Sequence, residues 1–262
     1  MKIYIVDSFT EQPFKGNPAA VCITDNKLGD AEYQNIAMEM NLSETAFLLR
    51  QSETDYELRW FTPTEEVNLC GHATLAGAHI LWEKGFEKSE SILSFHSKSG
   101  LLKASLNEGW ITLDFPAKPL KPSRGDEYLF KAIPGTIERV LADGESYIVV
   151  LKDENDIRKM TPLFDLFHKT ARPEIIITAK SKSEDYDFVS RFFGPAIGIK
   201  EDPVTGSAHC YLAPYWSEIL DKKELTGYQA SKRGGYVRCT VAGNRVHLKG
   251  KACTVLSGDI EI

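Results

Sequence analysis

The chain has 262 residues, 42% of them hydrophobic, with a formal net charge of −6 and a pI near 5.6. That length supports one large domain or two small ones, and the interspersed acidic and basic residues exclude a basic face for nucleic acid or a polybasic membrane anchor. No apolar run approaches the ~18 residues of a membrane span, MKIYIVDSF is broken by Asp7 too early for a signal peptide, and Cys22, Cys70, Cys210, Cys239 and Cys253 lack disulfide-framework spacing, so a reducing cytoplasm is expected.

In chain order, short strand-like runs dominate: residues 2–6 (KIYIV), 19–24, 44–50, 56–61, 109–115, 146–151 and 174–178, followed by a C-terminal stretch of strands and tight turns with a hairpin at Gly243-Asn244. Helical patterns are fewer. Residues 30–40 open on Asp30 as a cap and stop at Asn41. Residues 72–85 place Ala73, Ala76 and Ile80 on one face and end at Gly85, and 126–133, a turn at 161–167 and 206–220 complete the set. Many strands with a few long apolar helices predict an α+β fold in which sheet encloses helix, rather than a regular βαβ alternation.

The stretch PAKPLKPS (116–123), with three prolines in eight residues, reads as a linker, dividing the chain into domains 1–117 and 118–262. The halves share a pattern. RWFTPTEEVNLCGHATLAGAHILW (59–82) resembles RFFGPAIGIKEDPVTGSAHCYLAPYW (191–216): Phe61-x-Pro63 matches Phe193-x-Pro195, and Gly71-His72-Ala73 matches Gly206-Ser207-Ala208. Each half then presents an apolar helix whose N-terminus follows a glycine turn. Unpaired N–H groups and the helix dipole make such termini attractive to carboxylates and phosphates.

Together, DSFTEQPFKGNPAAVCI (7–23), NLSETAFL (41–48), FTPTEEVNLCGHATLAGAHIL (61–81), EDPVTGSAHCYLAPYW (201–216) and QASKRGG (229–235) resemble the phenazine-biosynthesis PhzF-like family of the diaminopimelate-epimerase-like superfamily. The resemblance implies two pseudo-symmetric domains, each a mostly antiparallel β-barrel around a central helix, with the active site between them. It also implies a homodimer and a reaction that shifts a proton within a dihydro-hydroxyanthranilate.

Glu44, in Ser43-Glu44-Thr45, reads on its own as a surface carboxylate, but its apolar neighbours Leu42, Ala46, Phe47 and Leu48 are compatible with partial burial and a tuned pKa. The resemblance makes it the general acid/base. His72 could merely begin a helix, or act as a neutral imidazole at the helix N-terminus; the resemblance places it in the site. Asp202 reads as an Asp-Pro turn or cap, and the resemblance adds the role of orienting His72 or holding a substrate amine. Gly71, Ala73, Gly206 and Ser207 are candidates for carboxylate binding at the two helix termini. Asn17, Gly234 and Gly235 are further candidates to line the cleft.

Cys70 has three other readings. A zinc site needs three or four convergent ligands, and only Cys70/His72 and His209/Cys210 are close pairs, without finger spacing. A redox site lacks a CxxC motif. A two-thiol racemase needs a second cysteine where the chain has Glu201-Asp202-Pro203-Val204, so Cys70 is expected to pack beside the site, with Cys210 in the core. No P-loop or dinucleotide fingerprint is present, and the expected partner is a small carboxylate, with no cofactor and no metal. With no such signature, the function the resemblance implies is a cofactor-independent isomerase. The alternatives are an amino-acid epimerase or racemase and a non-catalytic small-anion binding protein.

Overall fold

The computed structural model describes residues 1–261. The chain forms two units, one of Met1–Phe115 together with the segment from His247 on, the other Pro116–Val246. The first boundary falls at the start of the proline-rich stretch. The second differs from the expected division at 117/118, because the C-terminal segment rejoins the first unit by pairing its last strand along the first: Lys2 lies opposite Asp259 and Ser8 opposite Ala252. Backbone pairing between residues 244 to 257 apart in sequence is invisible to a reading of local pattern.

The first unit comprises β1 (Lys2–Ser8), β2 (Asn17–Thr24), α1 (Asp30–Met40), β3 (Glu44–Ser52), β4 (Asp55–Phe61), β5 (Glu66–Val67), α2 (Gly71–Glu83), β6 (Leu93–Ser97), β7 (Gly100–Asn107) and β8 (Trp110–Pro116). The second holds β9 (Lys121–Pro122), α3 (Glu127–Ala132), β10 (Ile137–Ala142), β11 (Ser146–Leu151), α4 (Glu154–Lys159), α5 (Phe164–Phe167), β12 (Glu174–Lys180), β13 (Phe188–Gly194), β14 (Ile199–Asp202), α6 (Gly206–Leu220), β15 (Glu224–Gln229) and β16 (Gly235–Ala242). The chain ends with β17 (Arg245–Gly250) and β18 (Ala252–Asp259).

The repeat read from the sequence is present in the strand pairing. In the first unit β1–β2, β3–β4, β4–β5 and β6–β7 are antiparallel, while β2–β3 and β4–β6 are parallel, each parallel pair enclosing a helical crossover. The second unit repeats this scheme: β10–β11, β12–β13, β13–β14 and β15–β16 are antiparallel, β11–β12 and β13–β15 parallel. A parallel neighbour requires a crossover, and here α2 and α6 serve as the long apolar ones.

Both long helices are enclosed. In α2, Ala73, Leu75, Ala76, Ala78, Ile80 and Leu81 are fully buried, and burying each large aliphatic side chain stabilises by about 1.5–3 kcal/mol. The small residues between them let the strands close in: a Cβ on Gly77 would meet Leu48 Cδ1 at 3.2 Å. In α6, Pro214 supplies no N–H, so the Cys210 carbonyl instead accepts from Lys118 N–H at 3.0 Å. Separate apolar clusters fill each unit, one around Tyr33, Phe47 and Phe61, the other around Phe167, Ile177 and Phe193.

Helices α1, α2, α3 and α6 follow the sequence to within two residues at each end. In contrast, α4 (Glu154–Lys159) is a helix the sequence reading lacks, because six residues with Ile157 as the one buried apolar side chain leave no periodic pattern. The expected cap of α1 also needs correcting. Asp30 is the first residue of α1 and not its cap; Gly29 is the cap, its N–H donating to Glu32 Oε2 at 2.7 Å, while Asp30 pairs with Arg59 at 2.8 Å. Asn41 does end α1, in the left-handed conformation at φ 49°. Among the described residues no helix is long and apolar enough to cross a membrane.

Candidate active site

In the first unit the candidate side chains converge because several elements begin at one place. Chain reversal between β1 and β2 requires Gly16: its φ is +62°, and a Cβ there would lie 2.1 Å from the Ser8 carbonyl. Asn17 follows as the first residue of β2, fully buried. The parallel register sets Ala19 beside Glu44, the first residue of β3. Cys70 is the N-cap residue of α2 and His72 lies in its first turn, whose position is fixed by Ser8 Oγ donating to the His72 carbonyl at 2.8 Å.

His72 is 5% exposed. Its Nε2 lies 3.2 Å from a Glu44 carboxylate oxygen, close but off the line of a hydrogen bond. Its Nδ1 lies 3.2 Å from Asn17 Nδ2 and 3.5 Å from Cys70 Sγ. Burial pushes the imidazole pKa down to about 3, so the ring is neutral at physiological pH. Gly71 opens the helix, and Ala73 is fully buried in its first turn. No side chain caps α2 among the described residues, which leaves first-turn N–H groups for other acceptors.

Glu44, Cys70 and His72 each offer a ligand atom within 4.8 Å of the others. The thiol–imidazole pair thus gains a third donor that the sequence did not place beside it. The donors divide, however, since the thiol faces Nδ1 and the carboxylate faces Nε2. A single ion on one ring nitrogen would meet both remaining donors only if side chains turned. The other close pair, His209 and Cys210, reads as core. Burial lowers His209 to about 4 and raises Cys210 to about 12.

The second unit carries the remaining candidates in their own cluster. Asp202 ends β14, 7% exposed, and Thr205 is the N-cap of α6. Thr205 Oγ1 donates to the Asp202 carboxylate, so it does not cap the helix. Gly206 is buried and Ser207 exposed in the first turn of α6. Gly235 pairs with Gln229 across β15 and β16, and Gly234 makes the preceding turn at φ +68°. Gln229, not singled out from the sequence beyond its motif, ties the cluster together. Its Oε1 accepts from Thr205 N–H at 2.9 Å, and its Nε2 donates to the Asp202 carbonyl at 2.7 Å.

The two units differ where the repeat aligns them. The register position of Glu44, opposite β2, is held in the second unit by Glu174 opposite Ser146 of β11. Glu174 accepts from the Ser146 hydroxyl at 2.5 Å, whereas Glu44 faces an imidazole. A surface cavity of about 510 Å³ in the first unit is lined by His79, Trp82, Glu83, Lys251 and Thr254, a set that includes neither Glu44 nor His72.

The family model described as phenazine biosynthesis-like protein matches residues 6–258. An isomerase from Halalkalibacterium halodurans, carried as uncharacterized, is 48% identical over 98% of this chain and 97% of its own. The crystal structure of a PhzF-family phenazine biosynthesis protein from Enterococcus faecalis superposes with a TM-score of 0.95 at 42% identity, covering 100% of this chain and 99% of that one. A probable proline racemase from Agrobacterium radiobacter, at 10% identity, covers 100% of this chain and 93% of its own with a TM-score of 0.64. That last likeness is one of fold.

Proposed function

The chain belongs to the phenazine biosynthesis-like PhzC-PhzF family, and from that premise we propose that it is a cofactor-independent isomerase that moves a proton on a small carboxylated substrate. The observation that carries the reading is the carboxylate of Glu44 beside a buried, neutral His72, 3.2 Å from its Nε2. A carboxylate held largely out of water, as Glu44 is, can take a proton from carbon and return it to a neighbouring carbon. The same group closes the cycle, so no net proton is gained or lost.

In this reading Glu44 transfers the proton. His72, uncharged, donates from Nε2 to the oxygen or nitrogen on which charge develops. Asp202 receives a substrate amine, and the first-turn N–H groups at Gly71-His72 and Gly206-Ser207 receive the substrate carboxylate. The substrate class is the dihydro-hydroxyanthranilate type suggested by the motifs, and a homodimer is proposed on the same basis, to be checked by light scattering. Product analysis after incubation with dihydro-hydroxyanthranilate tests the reaction. Isomerised product from wild type and none from Glu44→Gln supports it, and equal conversion by both contradicts it.

A second reading has an observation of its own. Cys70, the residue immediately before α2, places its thiol 3.5 Å from His72 Nδ1. A thiol so placed is a candidate base for epimerisation of an amino acid. Inversion at Cα that survives Glu44→Gln and is lost in Cys70→Ser would favour it.

A further inference from the structure

We propose that Gln229 is a positioning residue that sets the Asp202 carboxylate through the hydroxyl of Thr205; this rests on the functional reading above, in which Asp202 meets the substrate. Gln229 ends β15 and is fully buried, a costly place for a carboxamide unless every polar atom is used. They are used on a single segment. Oε1 accepts from Thr205 N–H at 2.9 Å, and Nε2 donates to the Asp202 carbonyl at 2.7 Å and to Thr205 Oγ1 at 3.1 Å.

This arrangement dictates a direction. A hydroxyl has one proton and accepts through its lone pairs. Thr205 Oγ1 accepts from Gln229 Nε2, so its own proton goes to the Asp202 carboxylate. The carboxamide therefore fixes three things at once: the backbone ahead of α6, the rotor of Thr205, and through that rotor the orientation of Asp202. His209 holds the same turn from the helix side, with Nδ1 2.8 Å from the Thr205 carbonyl. Across the hairpin Gly235 faces Gln229, and a Cβ on Gly234 would lie 2.4 Å from the Tyr228 hydroxyl, so the turn that follows β15 has little room to relax.

A purely structural glutamine would lower stability and leave chemistry intact. A positioning one lowers turnover, and only while Asp202 can still use its orientation. Four proteins separate the two: wild type, Gln229→Ala, Asp202→Asn and the double variant, assayed on dihydro-hydroxyanthranilate with melting temperatures measured alongside. The expected result is a kcat loss on the order of 10–100-fold for Gln229→Ala with a smaller change in KM, shrinking to less than about twofold in the Asp202→Asn background. Wild-type kcat in Gln229→Ala, or the same loss in both backgrounds, overturns the proposal. Should Gln229→Ala fail to fold, Gln229→Met keeps the length of the side chain without its donors and carries the same comparison. If wild type is silent on the substrate, the functional reading fails and crystal structures of wild type and Gln229→Ala decide the positioning role. An Asp202 carboxylate turned away from its wild-type orientation supports it, and an unmoved carboxylate overturns it.

Discussion

Asn17 Nδ2 lies 3.2 Å from one ring nitrogen of His72, and the other ring nitrogen lies 3.2 Å from the carboxylate of Glu44. A carboxamide nitrogen can only donate, so Nδ1 is the acceptor and the proton of the neutral ring resides on Nε2, facing Glu44. Asn17 thus selects the tautomer. Nitrogen-15 NMR of the imidazole should show the Nε2–H form in wild type and the Nδ1–H form in Asn17→Asp, whose carboxylate can only accept. Asn17→Ala should lose turnover on the order of 10–100-fold, as orienting partners of a reacting group do.

The two buried imidazoles give the fold an acid weakness whose sign can be worked out. Burial lowers His72 to about 3 and His209 to about 4, while unfolded histidine titrates near 6.5. Below that value the unfolded chain binds protons that the folded chain refuses. The contribution is therefore fully present above about pH 6.5 and is lost as pH falls towards the folded values. Each histidine should cost about 2 kcal/mol of stability between pH 7 and pH 5. Urea unfolding at the two pH values should show this loss roughly halved in His209→Gln, and an equal loss in both proteins would contradict the assignment.

Cys70 is 5% exposed and packs against His72. If proton transfer belongs to Glu44, Cys70→Ser should keep most of its turnover, and a thiol reagent should react slowly with the native protein. Turnover abolished by Cys70→Ser would move the base to sulfur.

Backbone geometry supports a stability comparison independent of chemistry. Gly234 (φ +68°) has the Tyr228 hydroxyl where a Cβ would go, whereas Gly243 (φ +62°) has nothing within 4 Å. Gly243→Ala should cost about 1 kcal/mol for the left-handed conformation alone, and Gly234→Ala towards about 3 kcal/mol because the tyrosine must also move. Differential scanning calorimetry should rank them in that order.

Legibility in the sequence tracked how local each signal is. Helix α6 was read to its ends, residues 206–220, because a glycine turn, small apolar residues and a closing Trp216 lie within one short stretch. Strands β6 and β7 are not legible: LSFHSKSGLLKASLN is polar enough on its outer face to pass for loop, and β6 is placed by parallel pairing to β4. Strand β10 was missed for a similar reason, since Ile137–Ala142 gains its burial only when β11 lies alongside. Glu44 and His72 were legible as motif residues, yet nothing local said that they would come within 3.2 Å. That contact needs the β2–β3 register and the start of α2 together. Gln229 carried no periodic or capping signal, because a buried carboxamide acquires its meaning only from the three atoms it meets.

Solvent deuterium incorporation at carbon, followed by mass spectrometry in heavy water with dihydro-hydroxyanthranilate and small amino acids, tests Glu44 as the proton carrier most directly. Wild type should place deuterium in the isomerised product or recovered substrate, and Glu44→Gln none above background. Incorporation of equal extent in both proteins would contradict that role and remove Glu44 from the proton transfer.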